Sequence, residues 1–366
     1  MAAIFYTSGT AGRPKGVIMS HANILANIES ALRAQTIGDG ADWRTLICVP
    51  LFHVTGCNSQ LLPAWERGGT AVILPRFDVA TYLRVARRGR ISLLGGVPSV
   101  FGLVLDALER PGAEPFDREF VRSLFYGGAP LAPTLADRLR AAFPAARLGQ
   151  GYGLTESSSF CSYLLHDDPR DTLPVDRRGS VGRPVPVVDA TLAPLTGSAG
   201  RQDSDPDTGE PLVRGPNICA GYWRQPEATS ATFTDGWLRT GDLARIDADG
   251  HIHLVGRALD LIIRGGENVY PAEVERVLGA HPAVLEIAVV GVPSAVTGEK
   301  VAAALVLRPG AGGVLRAVLR AARSELARYK IPELAWVSSG PLPRNAGGKV
   351  DKVALTQVAA WGVAPR

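Results

Sequence analysis

The stretch FYTSGTAGRPKGV, Phe5 to Val17, sets hydroxyls, glycines and a lysine between two apolar ends. It reads as a strand end running into one short turn. Small residues let backbone N–H groups approach the oxygens of an anion, and Gly9 and Gly12 supply that room. The hydroxyls of Thr7, Ser8 and Thr10 can donate, and Lys15 adds a point charge. Such a turn suits the phosphates of a nucleoside triphosphate. It is not a Walker A loop, which requires G-x-x-x-x-G-K-[ST], because Pro14 precedes Lys15 and Gly16 follows it. Taken alone, a glycine-rich stretch is more often a flexible surface turn; the density of hydroxyls, Gly and Lys argues against that here.

Outward from this turn, short apolar runs alternate with amphipathic stretches as far as about Glu156, the pattern of an α/β domain with helices covering a parallel sheet. Ile24, Leu25, Ile28 and Leu32 recur at helical spacing. Thr45 to Val49, Ala71 to Leu74, Ile91 to Leu94 and Leu124 to Tyr126 read as buried strands, with helices at Val79 to Arg87, Val100 to Glu109 and Thr134 to Phe143. From Ser180 to about Gly256 the chain is richer in Pro and Gly and reads as a β-rich subdomain, with Asp203 to Glu210 an exposed loop. A second unit begins near Arg257. In it Pro271 opens a helix over Ala272 to Leu278, Leu285 to Val292 and Val301 to Leu307 are strands, and Val314 to Tyr329 is a basic amphipathic helix. The expected division is a large domain over residues 1–256 and a smaller α+β domain over 257–366.

With 366 residues, 46% hydrophobic and 20% charged, the chain has the composition of a globular protein with one large and one small domain. Its net charge of +4 is spread without blocks of like charge, so nucleic acid is a poor partner. Small anions such as ATP fit that balance, although an Arg-for-Lys usage bias would give it too. Cys48, Cys57, Cys161 and Cys219 form no C-x-x-C pair and read as buried free thiols. No apolar run approaches the ~18 residues of a membrane span and no signal peptide is evident, so a cytoplasmic location is expected.

The resemblance that organises these features is to the adenylate-forming enzymes, which include the acyl-CoA synthetases. Tyr6 to Gly16 is similar to that family's first motif, with Ala11 where Thr is usual. PLFHVTG from Pro50, YGGAPL from Tyr126, QGYGLTE from Gln150, RTGD from Arg239, GR from Gly256, GGENVYPAEVE from Gly265 and PLPRNAGGKVDK from Pro341 follow in the family's order. The resemblance implies a large domain of α/β-sandwich and β-rich subdomains with a mobile α+β C-terminal domain. It also implies adenylation of a carboxylic acid by ATP and Mg²⁺, then transfer of the acyl group to the thiol of coenzyme A.

Each motif also has a reading from its residues. Gly127 and Gly128, before Ala129, would let a flat adenine approach the backbone, and Tyr152, between Gly151 and Gly153, offers an aromatic face; a tight strand-to-helix turn is the equal alternative. Thr155 pairs a hydroxyl for phosphate with Glu156, a hard carboxylate for Mg²⁺. The resemblance gives Asp242 to the ribose hydroxyls and Arg257 to ribose or phosphate; lone examples would be surface charges. Lys349, on the Gly-rich turn after Ala346, is the expected catalytic cation, stabilising charge on the phosphoryl oxygens as the carboxylate attacks. Gly265 and Gly266 resemble the turn lining the pantetheine tunnel, and the GGENVYP form favours coenzyme A over a carrier protein. His53 would border the acyl pocket, although by itself it reads as a satisfied core histidine. His251 and His253 share a strand face and read as surface residues rather than a metal site.

Two departures carry expectations. The chain begins almost at the phosphate turn, where members of the family carry a long preceding segment; part of the large domain is then expected to be missing, with apolar surface and strand edges exposed. A separate N-terminal fragment would be a partner, and a catalytically impaired nucleotide-binding fragment is the alternative function. At the hinge the family usually has Asp or Lys two residues after the Arg matching Arg257, and this chain has Leu259. A buried Leu would bias domain rotation and slow thioester formation more than adenylation.

Overall fold

The computed structural model describes residues 1–7, 14–35, 42–114, 116–128, 131, 133–165, 179–194, 207–257, 260–265, 267–308, 310, 313–345 and 349–365. It forms two compact units. The first comprises Met1–Thr191, Pro211–Thr240 and Ile246–His253; the second comprises Leu192–Glu210, Gly241–Arg245 and Leu254–Arg366.

In the first unit, β1 (Ala3–Thr7) and β2 (Lys15–Met19) form an antiparallel ribbon in which Thr7 stands opposite Lys15. The stretch between them therefore begins and ends at one cross-strand pair. Helix His21–Ala34 starts on a capping box: Ser20 Oγ accepts the Asn23 N–H at 3.1 Å and Asn23 Oδ1 accepts the Ser20 N–H at 2.8 Å. Its Ile28 and Leu32 pack with Trp43 and Leu93, while Leu25 faces solvent.

The main sheet has the order β4–β3–β5–β6–β7–β8–β9, made of β3 (Arg44–Ile47), β4 (Thr70–Ile73), β5 (Leu93–Gly96), β6 (Ser123–Gly127), β7 (Arg147–Tyr152), β8 (Ser162–Leu165) and β9 (Arg183–Pro184). The pairs from β4 to β7 are parallel, as expected, and β7–β8 and β8–β9 are antiparallel. Helices Val79–Arg88, Pro98–Leu108 and Pro133–Ala142 follow the expected positions. Alternation along β6 assigns its faces. Leu124 and Tyr126 join Leu94, Leu148, Phe101, Leu105 and Leu139 in the largest core cluster, whereas Phe125 lies on the other face against Phe160 and Tyr163. Each such side chain contributes about 1.5–3 kcal/mol on burial, so this core anchors the strand tips. Phe52, Trp65 and Ile73 are exposed apolar side chains, and β4 is an edge strand.

The middle of the chain is β-rich. Phe233–Thr234 and Trp237–Arg239 form a hairpin, turned by Asp235 and Gly236 at φ 51° and 79°. The expected exposed loop over Asp203 to Glu210 is corrected in part. Residues 203–206 lie outside the described residues, but Glu210 is in strand Gly209–Arg214 and buried, where its Oε1 accepts the Gly241 N–H at 3.0 Å.

The second unit is built on the antiparallel pair Val284–Ser294 and Gly298–Leu307, with Leu334–Ser338 parallel to the latter. Helix Pro271–Gly279 covers it through Val274, Val277 and Leu278. A continuous helix over Val314 to Tyr329 does not form: the α-helix spans Leu315–Ala321 and gives way to 3₁₀ turns at Ala322–Ser324 and Arg328–Lys330. The Ser324 hydroxyl donates to the Ala321 carbonyl at 2.9 Å, a local bond that competes with helical continuation. Among the described residues no helix is long and apolar enough to cross a membrane.

Candidate nucleotide site

Two expected site residues, Lys15 and Glu156, meet around one segment, Asn217–Trp223. Tyr222 bridges to Val17; the Ile18 N–H donates to the Gly221 carbonyl at 3.0 Å and the Trp223 N–H to the Gly16 carbonyl at 2.7 Å. These bonds fix the strand that carries Lys15. Lys15 Nζ lies 4.7 Å from the centre of the Tyr222 ring, within cation–π range. The Tyr222 hydroxyl donates to Glu156 Oε1 at 2.7 Å, and the Cys219 N–H donates to the Glu156 carbonyl at 2.8 Å. Lys15 and Glu156, far apart in sequence, thus sit on one phenol ring, with Thr7 across the ribbon from Lys15 and Thr155 beside Glu156.

The turn after Glu156 is strained and clamped. Ser158 and Ser159 have φ of 57° and 136°, a region that costs a non-glycine residue of order 1–3 kcal/mol. Asn217 Nδ2 donates across it to the carbonyls of Ser157 (3.1 Å) and Phe160 (2.8 Å), and the Ser158 hydroxyl donates to the Asn217 carbonyl at 2.9 Å. Asn27 Oδ1 accepts the Phe160 N–H at 3.0 Å, Asn58 Nδ2 donates to the Ser158 carbonyl at 2.9 Å, and Ser59 and Ser159 join through their hydroxyls. Asn58 and Ser59 lie on a π-helical turn, Cys57–Leu61, a form frequent at functional sites.

Beside this turn, the tips of β6 and β7 hold the expected adenine-facing residues. A Cβ on Gly127 would lie 2.8 Å from the Gly151 carbonyl, so the room there is taken by the neighbouring strand. Gly128, at φ 79°, is exposed at the strand end, and a Cβ on Gly153 would lie 1.5 Å from the Ser159 carbonyl. Tyr152 is 8% exposed, which leaves little of its ring as a stacking face.

His53 is half-buried and caps a short helix, its Nδ1 accepting the Thr55 N–H at 3.2 Å. The expectation that His251 and His253 are surface residues is overturned. Their side chains are 9% and 13% exposed and turn onto Asp247, with His253 Nε2 2.9 Å from Oδ2. Burial works to raise the Asp247 carboxyl, but the His253 ring, the His251 N–H and both imidazole charges together hold it at about 2. All four cysteines are free.

In the second unit, Asp242 is buried at the start of strand Asp242–Ile246, one residue after Gly241 at φ 70°. Gly265 has φ 62° and open space where a Cβ would stand. Lys349 is exposed; its N–H donates to Asn345 Oδ1 at 3.1 Å and its carbonyl accepts the Asn345 N–H at 2.9 Å. Ser8, Gly9, Thr10, Gly12, Ala129, Leu259 and Gly266 lie outside the described residues, as does the side chain of Arg257. Sequence reading missed Tyr222 and the asparagines. The available signal was Gly221-Tyr222 ahead of Pro226, a turn carrying an aromatic; nothing marked Asn27, Asn58 or Asn217.

Comparison with known proteins bears on the same regions. Residues 1–223 match the family model described as AMP-binding enzyme, and residues 273–349 match the AMP-binding enzyme C-terminal domain. The chain is 35% identical to a long-chain-fatty-acid–CoA ligase of Bacillus subtilis over 353 residues, 96% of this chain and 60% of that protein. It is 36% identical to a feruloyl-CoA synthase of an Amycolatopsis species, covering 95% of this chain and 68% of that protein. The structure of o-succinylbenzoate coenzyme A synthetase from Bacillus subtilis in complex with ATP and magnesium ion superimposes with a TM-score of 0.77 at 34% identity, covering 95% of this chain and 68% of that one. The chain spans 60% of the length of the first of these relatives. With both portions of the family pattern matched in order across the ribbon, the clamped turn and the C-terminal unit, the chain belongs to the AMP-binding enzyme family.

Proposed function

We propose that the chain is an AMP-forming acyl-CoA synthetase: it activates a fatty or aryl carboxylic acid with ATP and passes the acyl group to coenzyme A. The observation that carries this reading is the placement of Lys15 and Glu156 on the Tyr222 ring beside the Thr7–Lys15 pair. Such a placement would give a cation for phosphate oxygens and a carboxylate for Mg²⁺ in one neighbourhood. Glu156 Oε2 has no hydrogen bond among the described residues, and these residues contain no group of three or more metal-ligating side chains. A lone carboxylate fits Mg²⁺, which takes its other ligands from phosphate oxygens and water. Bound there, Mg²⁺ would neutralise charge on the triphosphate.

In the first half-reaction a carboxylate oxygen attacks the α-phosphorus, the bond to the β-phosphate oxygen breaks, and pyrophosphate leaves. No general base is required, because the acid is already ionised at neutral pH. Lys15 would hold the outgoing phosphates, Thr155 would donate to a phosphoryl oxygen, and Gly128 would border the adenine. Asp242 would accept from the ribose hydroxyls, and Arg257 would donate to ribose or phosphate. Lys349 would stabilise the developing charge on the α-phosphate. In the second half-reaction the thiol sulfur attacks the acyl carbon and AMP leaves; the open space at Gly265 suits a slender pantetheine arm. The hinge would fall near Gly256 and Arg257, between proposed domains 1–256 and 257–366.

The test is ATP–pyrophosphate exchange across a panel of fatty and aryl acids, with and without coenzyme A. Acid-dependent exchange and coenzyme A-dependent AMP release are expected. ATP binding without exchange for any acid refutes the catalytic reading, and exchange without AMP release to coenzyme A points to a carrier-protein thiol.

A further inference from the structure

The geometry points to Tyr222 as the positioning residue that presets the Glu156 carboxylate for Mg²⁺ and seats the Lys15 ammonium, through two separate parts of one side chain. This inference rests on the proposed nucleotide site and adds a residue to it.

Three observations converge. The hydroxyl donates to Glu156 Oε1 and leaves Oε2 without a hydrogen bond among the described residues, so one oxygen is oriented and the other remains for a cation. The ring face carries Lys15 Nζ at 4.7 Å. The backbone on either side of Tyr222 is tied by its own bonds to Gly16 and Ile18, so the phenol cannot drift relative to the lysine strand. The ring packs edge-on to Phe233 and the residue is 5% exposed, which locks its rotamer. Burial, and then the nearby Glu156 charge, push the phenol well above its usual range, so it remains a donor at any pH the protein meets. Fixing one carboxylate oxygen before the cation arrives removes ordering entropy from Mg²⁺ binding.

Two variants separate the two parts. Tyr222→Phe keeps the ring and removes the hydroxyl; Tyr222→Leu removes both. ATP affinity is measured by equilibrium dialysis with excess Mg²⁺ and again in EDTA, alongside thermal unfolding. Tyr222→Phe is expected to weaken binding in Mg²⁺ about tenfold, the low end for a hydrogen bond to a charged group, with less than a twofold change in EDTA. Tyr222→Leu is expected to weaken binding in both conditions. Equal weakening of Tyr222→Phe in both conditions assigns the hydroxyl a merely structural role and overturns the inference, as does an unchanged or tighter affinity in Mg²⁺. An unsubstituted chain that binds no ATP refutes the proposed function itself, and this inference with it.

Discussion

Replacing Asn217 by alanine tests whether the clamp on the turn after Glu156 holds the site. Asn217 is fully buried, and its Nδ2 is the donor to two carbonyls, of Ser157 and Phe160. Orphaning each buried carbonyl costs about 1–3 kcal/mol, but Asn217 Oδ1 itself has no partner among the described residues, and removing it recovers part of that. The net expectation is a loss of about 2–3 kcal/mol. For a unit of this size that lowers Tm by roughly 5–10 °C. The loss should be local as well as global. Ser158 and Ser159 hold left-handed backbone only while the clamp persists, so amide exchange at Ser157 to Phe160 should accelerate before the parallel sheet opens. Thermal unfolding and hydrogen exchange on Asn217→Ala and Asn217→Asp measure both effects; the Asp variant fills the space yet cannot donate when ionised. A stability change below about 0.5 kcal/mol in the alanine variant, or unchanged exchange at the turn, would refute the reasoning.

Three further outcomes are expected. Lys349→Ala should slow carboxylate-dependent pyrophosphate exchange on the order of 10²- to 10³-fold, and an unchanged rate removes Lys349 from the chemistry. The folded Asp247 carboxyl titrates at about 2, below its unfolded value. Its contribution to stability is therefore whole above pH about 4 and is lost as pH falls through about 2, so the Tm gap between the unsubstituted chain and Asp247→Asn should narrow between pH 5 and 2. A gap that is constant or widens contradicts this. Burial pushes the Cys48 and Cys219 thiols up to about 11, and Cys161 is fully buried. A thiol reagent at pH 8 should label the half-buried Cys57 first in the folded protein, and rapid labelling of Cys48 or Cys219 without unfolding would count against the packing.

Much of the architecture was legible because its signals are local. The helix over His21–Ala34 follows from apolar residues at helical spacing behind a Ser20 cap, and β3 to β6 follow from short apolar runs. The long helix expected from Val314 failed because spacing reports which face is apolar but not whether Ser324 will bond to its own helix. The exposed loop ending at Glu210 failed because a charged residue is buried whenever a distant backbone N–H, here that of Gly241, satisfies it.

The order of motifs from Tyr6 to Lys352 determined by itself the family and the types of side chain at the proposed nucleotide site, because hydroxyls, glycines, carboxylates and lysines carry their chemistry wherever the chain places them. Only the tertiary structure decided that Lys15 and Glu156 meet at the Tyr222 side chain, and that buried asparagines hold the turn after Glu156. Those relations depend on hydrogen bonds between segments up to some two hundred residues apart, such as Asn23 to the carbonyls of Pro216 and Ile218. No periodicity within a window of sequence reports which distant carbonyl a buried amide will reach.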